Sequence, residues 1–277
     1  MKVAVLGLGE AGSIIAGDLA RGGDEVHGYD PAPVPVIDGV HRHEGPQAAV
    51  TGCSLVLAVT HASHAQTLLD EIVKSLTDGV VYADLSTGSP GMKETLDRIV
   101  AKQGGLFVDV ALMSPVPGRG LAAPALASGR GAVQFADLIN ARGGKVEVIG
   151  ERSGEAAARK LLRSVVMKGL AALLMESTEA ATRYGLAEWF WNHLIEQLGS
   201  IDRALMDRLL QATQTHAGRR RQEMEAARDL LVELGVPAIM TSATIEHLRR
   251  LTDDGHAGSA QQPESNPALE FGTPTTS

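Results

Sequence analysis

The sequence predicts an α/β fold, a doubly wound and mainly parallel sheet followed by an all-helical C-terminal region. Three observations predict it. Short Val- and Leu-rich runs alternate with helix-compatible segments through the first half, a glycine-rich turn follows the first of those runs, and from Ser153 onward the apolar periodicity is helical.

The strand-like runs are "VAVLG" at 3–7, "EVHGYD" at 25–30, "LVLAVT" at 55–60, "VVYADLS" at 80–86, "LFVDVAL" at 106–112 and "KVEVIG" at 145–150. Alternation of this kind puts helices on both faces of a parallel sheet. At Ser153 a helix cap is expected, with Glu155 in the first turn and helical periodicity to Tyr184, where Gly185 closes it. This long helix reads as apolar and interior-facing, yet it carries Lys160 and Lys168. "AEWFWNHLIEQL", "IDRALMDRLLQAT" and "RRRQEMEAARDLLVEL" continue the helical pattern to Gly235 and Pro237. The expected organisation is a dinucleotide-binding domain over 1–152, a helical substrate and dimerisation domain over 153–252, and a disordered tail over 253–277, rich in Pro, Gly and acidic residues without Lys or Arg.

Bulk properties exclude several classes. With 277 residues, 44% hydrophobic and 21% charged, the chain can bury a core and has room for two domains. Aromatic residues make up only 3%, so stacking platforms for bases are scarce, and the net charge of −8 repels phosphate backbones and anionic membranes. Neither nucleic acid nor a membrane is expected as a partner. Cys53 is the single cysteine, no continuous apolar signal segment opens the chain, and no run is long and apolar enough to span a bilayer, so a cytoplasmic protein is expected. Cys53 with His41 and His43 is too small a set for a metal site, and none is expected.

The glycine turn carries the chemistry. "GLGEAG" (Gly7, Leu8, Gly9, Glu10, Ala11, Gly12) fits GxGxxG directly after a strand and at the start of a helix, the context of a Rossmann phosphate-binding turn. Backbone approach at Gly9 and the unpaired N–H groups of the helix start suit a pyrophosphate. Asp30 follows Gly12 by 18 residues at the end of the second strand, where a carboxylate accepts from the adenosine ribose hydroxyls and repels a 2′-phosphate. NAD is therefore expected, with NADP not excluded because Arg42 or His41 can fold back toward the site.

With "GLGEAG", the "DLSTGSP" strand end at 84–90, the "DVALMSPVPG" strand end at 109–118 and a long lysine-bearing helix, the chain resembles the β-hydroxyacid dehydrogenase superfamily of 3-hydroxyisobutyrate and 6-phosphogluconate dehydrogenases. The resemblance covers about the first 245 residues and is greatest to a branch with an uncharacterised helical C-terminal domain, whose signature resembles "RRRQEM" at 219–224. It implies an NAD(P)-dependent oxidoreductase acting on a small hydroxy compound or its carbonyl, and a homodimer built by the helical domain. In the family the catalytic lysine heads K-x-x-N-N, with a glutamate 16 residues on and a G-L pair nine beyond. That spacing selects Lys160, followed by Glu176, Gly185 and Leu186. Lys168 lies about 80° around an ideal helix from Lys160 and stays an alternative, counted with the substrate-binding residues.

A lysine suits this chemistry, because oxidation of a carbinol carbon by hydride loss requires the hydroxyl proton to leave. The bland alternative is a solvent-facing lysine beside Glu155 and Arg159. The chain departs from the family where Arg163 and Ser164 replace the two asparagines, Ser164 one turn from Lys160 and within reach of it. It departs again where Met113, Ser114 and Pro115 replace the S-G-G substrate loop, since Pro115 has no N–H to donate. Met113 and Ser114 are expected to border the substrate. By resemblance Val59, Thr60 and His64 in "AVTHASHAQ" and Thr87 in "LSTGSP" flank the cofactor, while Gln222 and Glu223 replace a K-D pair. Arg219 to Arg221 read as intrahelical pairs, and Trp189, Phe190 and Trp191 as core or subunit interface. Two alternative functions stand beside the dehydrogenase. One is imine reduction, which relatives perform with a different acid in place of the lysine, and the other is a non-catalytic NAD(H) sensor.

Overall fold

The computed structural model describes residues 1–257, which fall into two compact units, Met1–Val166 and a second beginning at Met167. The first is an eight-stranded sheet in the order β3-β2-β1-β4-β5-β6-β7-β8. Its strands are β1 (Lys2–Leu6), β2 (Glu25–Tyr29), β3 (Val40–Arg42), β4 (Leu55–Ala58), β5 (Val81–Asp84), β6 (Leu106–Leu112), β7 (Ala125–Ser128) and β8 (Val146–Gly150). Every neighbouring pair is parallel except β6 with β7. The crossover segments are α1 (Glu10–Arg21), α2 (Pro46–Val50), α3 (Ala62–Ile72), α4 (Pro90–Ala101) and α5 (Ala132–Asn140).

At the centre of the sheet β4, and β1 beyond Lys2, are wholly apolar because both faces are covered. On β1, Val3 and Val5 face α1 and α5, while Ala4 and Leu6 face α2, α3 and α4; Leu55 and Leu57 alternate with Val56 and Ala58 in the same way on β4. Each such Leu or Val, 0–1% exposed, contributes about 1.5–3 kcal/mol of burial.

The long helix α6 (Glu155–Tyr184) starts in the first unit and continues into the second, where it is followed by α7 (Ala187–Gly199), α8 (Arg203–Thr215), α9 (Ala217–Glu233) and α10 (Ile239–Ala257). Its end at Gly185 is as expected, with the Leu186 N–H donating to the Ala181 carbonyl. Its start is not capped as expected. The Ser153 hydroxyl donates to Asp97 (2.9 Å), while the first free N–H groups of α6 donate to side chains on the sheet, Ala156 to Ser128 Oγ (3.1 Å) and Ala157 to Asp109 Oδ2 (2.8 Å). Nor is α6 interior-facing within one chain, for Leu162, Val165 and Met175 are 70%, 73% and 75% exposed.

The second unit has a small core of Ala180, Leu231 and Val236. Glu176 caps α10, accepting from the N–H groups of Met240 and Thr241 and from the Thr241 hydroxyl (2.6–2.9 Å). Burial works against its charge, but these hydrogen bonds outweigh it and hold the carboxyl below its ordinary range. The tail expected from residue 253 meets α10, which extends to Ala257; residues 258–277 lie outside the described ones.

Candidate functional site

The sheet changes direction of growth at β1, which lies between β2 and β4, and a cleft opens at the carboxyl ends of these strands. Its volume is about 380 Å³ and its walls include Gly7, Gly9, Asp30, Val59, Thr60 and His64, six of the residues expected to hold cofactor. Gly7 has φ +95°, and a Cβ there would run into the Val59 carbonyl; one at Gly12 would run into the Gly7 carbonyl. At Gly9 a Cβ would meet nothing within 4 Å, so the tip of the turn faces open space. No side chain caps α1. Its first N–H groups are therefore left to an anion at the glycine turn, where Gly7 and Gly9 line the cleft.

Asp30 is anchored by the N–H groups of Leu8 (2.7 Å, to Oδ2) and Ala32 (2.9 Å, to Oδ1). A carboxylate offers about four lone-pair sites, which leaves about two for ribose hydroxyls. The Thr60 hydroxyl is buried in the cleft wall with no hydrogen-bond partner among the described residues. Open backbone at Gly9, spare acceptors on Asp30 and this orphaned hydroxyl fit a bound dinucleotide. Leu8 offers its N–H to Asp30 while its side chain packs in the core, and Glu10 and Ala11 stand in the first turn of α1.

Sequence reasoning missed Thr67, Leu68 and Glu71, which line the cleft with His64 on one face of α3. Their spacing of three, four and seven residues from His64 is the available signal. Arg42 does fold back, donating to the carbonyls of Ala32 (2.8 Å) and Asp30 (3.3 Å).

Other expected residues lie apart from the cleft walls. Thr87 is exposed in the β5–α4 loop. Met113 borders a separate hollow with Asn140 and Lys145, and half-buried Ser114 follows it. On α6, Lys160 and Ser164 are half-buried one turn apart, Arg159 is exposed and pairs with Glu155 at 3.7 Å, and Lys168 is exposed. Arg163 donates to the Met113 carbonyl at 2.7 Å, joining α6 to the loop after β6.

A second feature was not foreseen. Lys93 of α4 is fully buried, its amine donating to Asp84 Oδ2 (2.9 Å), the Asp84 carbonyl (3.0 Å) and the Ser86 carbonyl (2.8 Å), with Asp109 Oδ1 at 3.2 Å. An ammonium has three protons, all aimed at other acceptors, so Asp109 Oδ1 is held by charge without a hydrogen bond. The signal was present in α4, where Lys93 occupies the buried stripe with Leu96 and Val100. Among the described residues no set of three His, Cys, Asp or Glu is arranged to hold a metal, and no helix is long and apolar enough to cross a membrane.

A glycine turn at the switch point of a doubly wound sheet defines a dinucleotide-binding fold of dehydrogenase type. Residues 2–123 match the NAD binding domain of 6-phosphogluconate dehydrogenase, and residues 181–251 match a domain of unknown function, DUF1932. Among solved structures the chain is similar to the conserved protein MTH1747, described as of unknown function with structural similarity to 3-hydroxyacid dehydrogenases (30% identity, 93% of this chain and 99% of that one, TM-score 0.60). The Myxococcus stipitatus imine reductase in complex with NADP+ shares the fold (17% identity, 92% and 96% coverage, TM-score 0.76). An uncharacterized 28.5 kDa protein of Methanothermus fervidus is 27% identical over 164 residues, 59% of this chain and 63% of that protein, so the match spans less than two thirds of that relative. The chain belongs to the β-hydroxyacid dehydrogenase superfamily, in the branch that joins a 6-phosphogluconate-dehydrogenase-type NAD-binding domain to this helical C-terminal domain.

Proposed function

We propose that the chain is an NAD(P)-dependent oxidoreductase that interconverts a small hydroxy compound and its carbonyl. The observation that carries this reading is the cleft itself, with Asp30 anchored by two amides and Gly9 open to solvent. When bound, the nicotinamide accepts or supplies the hydride. Lys160 takes the hydroxyl proton in oxidation and returns it in reduction, with Ser164 one turn away to orient the oxygen. Half-burial of Lys160 between exposed Arg159 and exposed Lys168 supports Lys160 for this role. Met113 and Ser114 border the substrate; Gly7 to Gly12, Val59, Thr60, His64 and Thr87 hold the cofactor.

NAD is the preferred cofactor, since the Asp30 carboxylate opposes a 2′-phosphate and Arg42 is already committed to carbonyls of the 30–34 loop. Fluorescence titration is expected to show NADH binding more tightly than NADPH. D30N is expected to weaken NADH by about 1.5–3 kcal/mol, or about 10–150-fold in Kd, and to narrow the gap to NADPH. Equal affinities in both proteins contradict the assignment of Asp30. Imine reduction is the second reading, favoured by the likeness to the Myxococcus stipitatus enzyme.

The helical unit builds a homodimer. Among the described residues α7 and α8 bury no side chain, and Trp189, Ile195, Met206 and Leu210 are exposed on them. A groove between α6 and α7 is lined by Leu174, Met175 and Trp191. Apolar surface this extensive is covered in solution. Sedimentation equilibrium is expected to give twice the chain mass of 29.0 kDa, and the doubly charged variant I195D/L210D is expected to sediment as a monomer. A monomeric native chain at micromolar concentration contradicts this.

A further inference from the structure

We propose that Asp109 is a positioning residue for Lys160, registering the start of α6 on the sheet through a buried cluster of charges. Five elements meet there. Lys93 of α4 bridges Asp84 at the end of β5 and Asp109 in β6, all three fully buried. Asp109 Oδ2 accepts from the Ser128 hydroxyl of β7 (3.3 Å) and from the Ala157 N–H of α6 (2.8 Å), while Ser128 Oγ accepts from the Ala156 N–H (3.1 Å). The first free N–H groups of α6 are thus satisfied by residues distant in sequence, and the carboxylate sits at the positive end of the helix.

A second anchor lies on the same strand's continuation. Arg163 donates to the carbonyl of Met113, the residue after β6. Ala157 and Arg163 are separated by about 9 Å of helix, and Lys160 stands midway between them. The backbone that carries the amine is therefore tied to β6 on both sides. A terminal serine cap would fix only the local helix geometry; the buried cluster fixes where along β6 the helix starts. The inference rests on the reading of Lys160 as the proton-transfer group.

Full-length D109A, D109N and S128A test it with three readouts. Hydrogen exchange over residues 156–163 is expected to accelerate about tenfold or more in D109A, because the first turn of α6 opens locally, while amides of β1 and α1 keep their protection. Acetylation by acetic anhydride, followed by mass spectrometry across pH, is expected to show an altered Lys160 labelling profile in D109A, with partial return in D109N, which retains an oxygen for Ala157. On the best substrate found, kcat is expected to fall on the order of 100-fold, since displacement of a reacting group by about 1 Å has that effect, with the Kd for NADH unchanged. If D109A does not fold, D109N and S128A carry the same readouts with smaller changes. Unchanged exchange and an unchanged Lys160 profile in the folded variants overturn the inference whatever K160A does. Normal turnover by K160A overturns the catalytic reading, while exchange and labelling still judge the anchor.

Discussion

Replacing Lys160 by Ala is expected to lower kcat by about 10²–10⁴-fold, the range for loss of a positioned general acid–base group, while the Kd for NADH stays within about twofold. The two effects separate because the cofactor cleft is built by the carboxyl ends of β1, β2 and β4 with the turns that follow them and by one face of α3, none of which contains Lys160. K168A is the control. Lys168 is exposed, and its removal is expected to leave kcat unaltered; the opposite pattern transfers the proton-transfer role two turns along α6.

Lys93→Met is expected to destabilise the first unit by about 3–5 kcal/mol, a large part of the roughly 5–15 kcal/mol that holds a typical protein folded. Met fills the space but leaves Asp84 and Asp109 facing each other without the amine, and strands the carbonyls of Asp84 and Ser86. Urea unfolding followed by circular dichroism measures the loss. Adding D84N and D109N to K93M removes the unpaired charges and is expected to recover part of it. A K93M protein as stable as the native one contradicts the buried pairing.

Much of the first unit was legible because its signals are local. A strand, a glycine turn and a helix start follow one another within "VAVLGLGEAG", and Asp30 stands at the next strand end. β3 and β7 were missed because "VHR" and "ALAS" are too short, and β7 too small in side chain, to alternate visibly. The start of α6 was misread because Ser153 looks like a cap on its own, whereas Asp109 and Ser128 take that place only after β6 and β7 have paired.

For the same reason Lys93 escaped notice. Lysine in "MKETLDRIV" reads as a solvated charge until Asp84 and Asp109, from two other strands, close over it. In α6 the hydropathy was read correctly and its meaning was not. Apolar residues signal that a face is to be covered, but periodicity does not say whether the cover comes from the same chain. Lys160 was selected by family spacing alone, and its half-buried position sets it apart from the exposed Arg159, Arg163 and Lys168.

The most direct measurement of the central claim is transfer of deuterium from nicotinamide C4. Native protein is incubated with 4-deuterated NADH and a panel of small keto acids, aldehydes, ketones and imines, and products are examined by mass spectrometry. Deuterium on the carbinol carbon of an alcohol product, lost in K160A, is the predicted result. Tight NADH binding with deuterium retained on the cofactor across the whole panel contradicts the account and leaves a protein that senses the dinucleotide without turning it over.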